Sequence, residues 1–206
     1  MAEISKGVRA ILSVPWVYNL WGTLLGSRTA GLRLANDHMK ARPGEAVFDI
    51  GCGTGSFLES LPEGVAYTGF DLSEDYIAEA RTKFGDRATF VHAAVGEMPD
   101  LGEECFDLAI AVGVLHHLDD PEAVNLFELA FSALKPNGRL VTIDPVFDDG
   151  QSRMARWLIS RDRGQNVRTK EAYKALIPKD FSQNEAEVLY DLIRIPYTHC
   201  VMTCRK

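Results

Sequence analysis

Cysteine pairs at metal or disulfide spacing are missing from this 206-residue chain. Its four cysteines, Cys52, Cys105, Cys200 and Cys204, form no CxxC, and they read as buried free thiols of a reducing, cytoplasmic compartment with no metal site. Uninterrupted apolar runs of membrane-spanning length are missing too. The apolar segment from Val8 to Leu25 is broken by Arg9, Pro15 and Asn19, with glycines at 22 and 26, and no basic leader or small-residue cleavage site accompanies it. It reads as a packed cap helix, with contact at a membrane surface as the less favoured reading. Net positive charge is absent as well: the chain carries −7, which excludes bulk nucleic-acid binding, because phosphate neutralisation needs a concentrated basic face. Low-complexity tracts and internal repeats are likewise lacking. The length therefore suits one core with appendages.

The charge that is present is unevenly spread. Residues 1–43 hold six basic residues against Glu3 and Asp37, and residues 150–170 hold six against Asp162 alone, so two basic segments sit on an acidic body. After the turn at Arg42-Pro43-Gly44, short apolar runs alternate with amphipathic stretches. Strands are expected at 46–50, 66–71, 88–93, 106–113 and 138–144, with helices at 56–61, 73–84 and 121–134. Ser73, with Glu74 and Asp75 behind it, is the expected cap of the second helix. Further on, helices are expected at 151–162 and 169–177, then two extended runs at 187–195 and 197–204 joined at Pro196 as an antiparallel hairpin. This β-α-β order implies a parallel sheet with helices on both faces and a ligand site beyond the carboxyl ends of its strands.

The strongest signal is Val47-Phe48-Asp49-Ile50-Gly51-Cys52-Gly53-Thr54-Gly55, a buried strand that breaks into three alternate glycines. Such glycines remove side chains that would hold a ligand off the backbone and permit positive φ angles. Asp71 follows Gly51 by twenty positions at the end of the next strand, where a carboxylate can bind both hydroxyls of a ribose. Dinucleotide loops run GxGxxG, whereas the third glycine here comes one residue early. Asp49 would also repel a pyrophosphate but can pair with the ammonium of an amino acid. A nucleoside joined to an amino acid, S-adenosylmethionine, satisfies both features.

Five segments carry a resemblance: VFDIGCGTG (47–55), YTGFDLS (67–73), ATFVHAAVGEMP (88–99), FDLAIAVGVLHHLDDP (106–121) and LKPNGRLVTIDP (134–145). Together they resemble the class I S-adenosylmethionine-dependent methyltransferases, in the bacterial small-molecule group that includes quinone-biosynthesis C-methyltransferases. The resemblance implies a Rossmann-like seven-stranded α/β sheet of order 3-2-1-4-5-7-6 with the last strand antiparallel. An N-terminal helical cap at 1–43 would precede a catalytic domain at 44–206, with a basic lid at about 148–178. It further implies that Asp49 and Gly51 face the methionine portion, that Gly53 and Gly55 let the loop approach the cofactor, and that Cys52 between them belongs to the cofactor-binding set. Asp71 would hold the ribose, Leu72 would pack on adenine, and Val112 and Gly113 would lie near the methionine amino group. Where relatives place an adenine-binding Asp this chain has Ala94 and Val95, so adenine recognition falls to main chain there or to Glu97.

Methyl transfer is an in-line displacement in which the cofactor supplies most of the reactivity and the protein positions the acceptor. His116 and His117, after the fourth strand, and Asp144, at the fifth strand's tip, are the candidate catalytic groups. His199 reads as a satisfied structural histidine of the hairpin. The two basic segments would roof the site and point to a small acceptor bearing a carboxylate or phosphate. Tyr18, Arg153, Arg156 and Tyr173 are the candidate substrate contacts. Two other functions compete: a non-methylating use of the same cofactor, by cyclisation or aminocarboxypropyl transfer, and an NAD-dependent oxidoreductase, to which the glycine spacing is adverse.

Overall fold

The computed structural model describes residues 27–95, 102–162 and 164–206. Tyr18, Glu97 and the apolar segment at 8–25 lie outside them. Strands β1 (Ala46–Ile50), β2 (Ala66–Asp71), β3 (Ala88–His92), β4 (Phe106–Val112), β5 (Leu134–Phe147), β6 (Arg168–Thr169), β7 (Gln183–Leu189) and β8 (His199–Arg205) form one sheet. Its order is 3-2-1-4-5-8-7, with the two-residue β6 beside β5 off this path. Strands β1 to β5 pair in parallel, and β8 runs antiparallel to both β5 and β7. Without β6, this is the seven-stranded order expected from the sequence.

Apolar burial on both faces explains the central strands. Along β4, Leu108 and Ile110 enter one core with Met39, Ile77 and Ile143, while Ala109 and Ala111 enter the other with Phe48, Leu126 and Phe127. All four β4 residues are fully buried, as a parallel strand between helical layers must be. The helices are α1 (Ser27–Leu34, continued by a π-turn over Ala35–Met39), α2 (Glu74–Phe84), α3 (Asp120–Ala133), α4 (Arg153–Ile159) and α5 (Lys170–Ala175). Ser73 caps α2 as expected, accepting from Tyr76 N at 3.3 Å, and α2 buries Ile77, Ala80 and Phe84 on one face. Asp119 and Glu122 close a capping box on α3, with Pro121 in its first turn.

Three expectations are corrected. The helix expected at 56–61 is a five-residue 3-10 turn, Ser56–Ser60, because Pro62 forces Leu61 into extended backbone (φ −88°, ψ 153°). The antiparallel pair is connected by residues 190–198 rather than by a short joint at Pro196. Its first strand was misplaced because β7 is a polar edge strand whose Gln183, Asn184, Glu185 and Glu187 face solvent and give no apolar alternation. Cys105 is exposed, unlike the other three thiols, although all four are unbonded as read. Among the described residues no helix is long and apolar enough to cross a membrane.

The C-terminal end of α1 lies at the amino edge of the sheet. Arg139, at the start of the regular part of β5, donates to Met39 O at 2.7 Å and Lys40 O at 3.0 Å and pairs with Glu45 at 3.0 Å. Lys40 and Arg42 therefore belong to the edge opposite the strand tips, and these two cations cannot roof the glycine loop.

Candidate functional site

The carboxyl edge of the sheet gathers most of the candidate residues. Gly51 N and Cys52 N both donate to Phe70 O, at 2.8 and 2.9 Å, so the glycine loop is tied to the tip of β2 by main chain. Gly53 N donates to Asp71 Oδ2 at 2.8 Å, and Ser73 N to Asp71 Oδ1 at 2.8 Å. Asp71 thus orders both the loop and the start of α2 before any ligand arrives. The three loop glycines all have positive φ, yet they serve different ends. A Cβ on Gly51 would stand 2.6 Å from Val114 Cγ2, and one on Gly55 would stand 2.8 Å from the ring of Phe90 and 3.2 Å from that of Phe84. Of the three, Gly53 alone has nothing within 4 Å of a Cβ among the described residues, which leaves Gly53 as the glycine open to a ligand, while Gly55 allows α2 and β3 to pack.

Asp49 is 2% exposed and accepts a short hydrogen bond from the Tyr67 hydroxyl. Burial pushes its pKa up to about 7, against the lowering effect of that bond. Burial likewise pushes the Cys52 thiol well above its ordinary value, which makes it a packing group rather than a nucleophile. Leu72 is 48% exposed beside Asp71, and its carbonyl meets His92 Nε2 at 2.8 Å. Ala94 and Val95 are half-buried just beyond β3. Val112 is half-buried at the tip of β4, and Gly113 (φ 71°) donates to Ile143 O at 2.7 Å.

The neighbouring half of the edge is built from side chains. His116, buried in a short 3-10 turn after β4, places Nδ1 2.8 Å from Asp144 Oδ1, which also accepts from His116 N at 3.1 Å. His116 Nε2 lies 3.3 Å from Asp162 Oδ1, and the other oxygen of Asp162 accepts a short bond from the Tyr197 hydroxyl. Burial alone would favour neutral imidazole, but the bonds to Asp144 and Asp162 outweigh it and raise the His116 pKa to about 9. Asp162 is held well below the carboxylate range, its partial burial being overcome by the bond to His116. Asp144, fully buried, is shifted up by burial. A Cβ on Gly113 would stand 3.7 Å from His116 Cε1, so the edge of this ring abuts the tip of β4. His117 lies against His116, with ring centroids 4.1 Å apart and the rings tilted by 41°, and is half-buried.

The remaining expectations divide. Tyr173 is fully buried and donates to Pro145 O at 3.0 Å, so it is a core residue and not an open substrate contact. Arg168, expected to be part of a basic roof, instead donates to Leu115 O and Leu118 O and pairs with Asp120 at 2.7 Å, fastening the lid to the turn that carries His116. Arg156 remains exposed, 4.0 Å from Asp149, and Arg161 lies over the exposed Trp157 ring. Arg153 is exposed at the start of α4. His199 opens β8 with its Nδ1 buried and without a hydrogen-bond partner among the described residues, and burial lowers its pKa to about 4. Two pockets, of about 320 and 470 Å³, lie at the amino edge and beside α1, and neither touches the glycine loop.

Sequence reading missed Asp162, Tyr197 and Tyr67. One signal was present: Asp162 is the single acid among six bases in residues 150–170. Tyr67 carried none, since its pairing with Asp49 depends on how neighbouring strands align.

Residues 47–138, from the glycine strand to the start of β5, match the family model described as a methyltransferase domain. Over this stretch the chain is similar to methyltransferases. The class I methyltransferases that the sequence resembles use S-adenosylmethionine. Among curated relatives, the chain is 30% identical over 174 residues to the O-methyltransferase cnsE of Penicillium expansum, a match covering 77% of this chain and 60% of that protein. It is 30% identical over 113 residues to a ubiquinone biosynthesis O-methyltransferase of Idiomarina loihiensis, covering 53% of this chain and 46% of that one. The chain thus spans about half to three fifths of these two relatives' length. Among solved structures, the pyocyanin biosynthetic protein PhzM superposes with a TM-score of 0.74 at 16% identity, over 98% of this chain and 63% of that one. The PH0226 protein of Pyrococcus horikoshii gives 0.68 at 22%, over 92% and 98%. These likenesses establish the fold.

The residues present fit the family's cofactor. The bare backbone at Gly53, the Asp71 carboxylate fixed at the strand tip and the exposed Leu72 beside it offer a close approach, an acceptor for hydroxyls and an apolar face, in the order a nucleoside needs.

Proposed function

We propose that this protein is an S-adenosylmethionine-dependent methyltransferase that methylates an oxygen atom of a small molecule. The observation that carries this reading is the His116–Asp144 pair, bonded at 2.8 Å across the tips of β4 and β5, with the ring edge against Gly113. Asp71 and Leu72 would hold the nucleoside, Gly53 would admit it, and Asp49 with Gly113 would meet the amino-acid end. When bound, S-adenosylmethionine supplies a methyl group activated by its sulfonium. The chain's own part is to orient the acceptor and manage its proton. Asp144 fixes the ring through Nδ1, which leaves Nε2 to hold the acceptor oxygen, and the protonated ring that the two carboxylates favour donates to the oxyanion left when the acceptor's proton is lost. The names of the relatives above favour oxygen over the carbon acceptor suggested by the quinone-biosynthesis resemblance.

Residues 1–43 as a cap and 148–178 as a lid belong to the same reading. So does an acceptor bearing a carboxylate or phosphate, for which the exposed Arg153 and Arg156 of α4 are the partners, with Arg168 removed from that set. The test is a screen of small hydroxylated and carboxylated metabolites for release of S-adenosylhomocysteine by the purified protein. Methylthioadenosine in its place means attack at another carbon and sinks the methyl-transfer reading.

A further inference from the structure

The carboxylate of Asp162 stands on the His116 nitrogen that an acceptor oxygen would need. We propose that Asp162 is an internal stand-in for the acceptor: it occupies His116 Nε2 in the ligand-free protein and is displaced by an acceptor carrying an acidic hydroxyl, a phenol or an enol. The inference rests on the methyltransferase reading for the identity of the site, but its geometry is independent of it.

Three observations support the exchange. Asp144 holds Nδ1, so Nε2 is the only ring nitrogen left to an acceptor, and Asp162 meets it at 3.3 Å. Asp162 reaches the ring from the lid, beyond α4, rather than from the sheet, so its position can change without disturbing the strands. It is held there by displaceable contacts: Oδ1 accepts from Gly164 N at 2.8 Å and Oδ2 from the Tyr197 hydroxyl. At the same corner two buried polar atoms, Asp144 Oδ2 and His199 Nδ1, have no hydrogen-bond partner among the described residues. Such atoms are costly to leave unmet, and the hydroxyl of an entering ligand is a partner of the right chemistry.

The charges around the ring set the chemistry of the exchange. Asp144 lies on β5, Asp162 on the lid, Tyr197 and His199 at the start of β8, and His117 lies against the ring. Arg168 adds positive charge near Asp144. Two carboxylates around one imidazole favour the protonated ring, and a phenolate or enolate in place of Asp162 keeps that balance. The entering hydroxyl's proton goes to the Asp162 carboxylate or to solvent, and no bond other than O–H is broken.

The test uses 4-nitrophenol, whose ionisation is visible by absorbance, with the whole protein labelled on its histidine nitrogens. Asp162→Asn removes the competing charge. It is expected to bind 4-nitrophenolate at least about tenfold more tightly than the native protein, the worth of one charge-assisted contact. The ligand is expected to shift the His116 Nε2 resonance in both proteins, and Asp162→Asn alone to lower the pKa of that resonance by at least one unit. Tyr197→Phe, which loosens Asp162 but keeps its charge, should lie between the two, and circular dichroism checks that both variants fold. Equal affinity in native protein and Asp162→Asn, binding without a change at His116, or no binding to either protein overturns the proposal. Calorimetry with S-adenosylhomocysteine separates the two readings. If it binds while 4-nitrophenolate is indifferent to Asp162, the stand-in fails alone; if it does not bind the native protein, the methyltransferase reading fails.

Discussion

The two halves of the sheet's carboxyl edge are held together differently. Around β1 and β2 the loop is fixed largely by main chain: Gly51, Cys52 and Gly53 donate to the tip of β2, with the Asp71 carboxylate as one acceptor and the Asp49–Tyr67 bond joining the two strands beneath. Around β4 and β5 the fixing bonds are ionic and come from three distant segments, with His116 between Asp144 and Asp162 and Tyr197 behind them. A surface made of backbone is rigid and the same for every ligand that fits it, which suits a constant cofactor. Charged side chains that pair with one another can re-pair with a ligand, which suits an acceptor that comes and goes. The contrast fits the proposal that the β4–β5 half receives the acceptor.

Substitutions can break this contrast in either half. On the acceptor side, His116→Asn should cost on the order of 100- to 10,000-fold in turnover, the usual worth of a positioned acid or base, while calorimetric affinity for S-adenosylmethionine stays within about twofold. Turnover at the native rate would remove His116 from the chemistry. On the cofactor side, Asp71→Ala deletes the acceptor of two backbone donors as well as the proposed ribose contact, and affinity for S-adenosylmethionine should fall on the order of 100-fold. Unchanged affinity by calorimetry would overturn the ribose assignment.

The glycines sharpen the contrast within one loop. Gly55→Ala drives a methyl into Phe90 and Phe84 at positive φ and should cost about 2–3 kcal/mol in denaturant unfolding. Gly53→Ala meets open space, so its folding cost should stay near about 1 kcal/mol while cofactor affinity drops. If the two variants unfold alike, the division of labour in the loop is wrong.

Titration probes the ionic half directly. The folded pKa of His116 lies above its ordinary 6.5, so the stability it contributes is complete below about pH 6.5 and is lost as pH rises through about 9. Asp162 is shifted down, so its share is present above the ordinary 3.8 and disappears only in stronger acid. Melting temperature should therefore decline between pH 6.5 and 9, and the decline should flatten in His116→Asn. The smallest effect belongs to the lid surface. Replacing Arg153, Arg156 and Arg161 together with Gln should raise the acceptor's KM several-fold, as expected for exposed charges of about 1 kcal/mol or less each, and leave the cofactor's KM unchanged. Equal changes in both constants would count against an anionic acceptor.

Legibility in the sequence follows the same division. The order of strands, the glycine turn and the helix cap at Ser73 could be read because each depends on residues close together in the chain and on hydrophobic periodicity. Strand β7 could not, since an edge strand with four polar residues facing water lacks that periodicity. His116 and Asp144 were identifiable as strand-tip residues, but their partners were not. Arg168 reads as part of a basic roof from its place in the chain, but its guanidinium donates to Leu115 O, Leu118 O and Asp120.

By itself, the sequence determined a parallel α/β sheet with a nucleoside loop, because alternate glycines and buried strands act through local backbone geometry. Only the tertiary structure decided that Gly55 serves packing, that Tyr173 is core and that Asp162 faces His116. Those outcomes depend on which segments, far apart in the chain, share a few ångströms, and ionic partners are chosen by proximity that no spacing in the chain encodes.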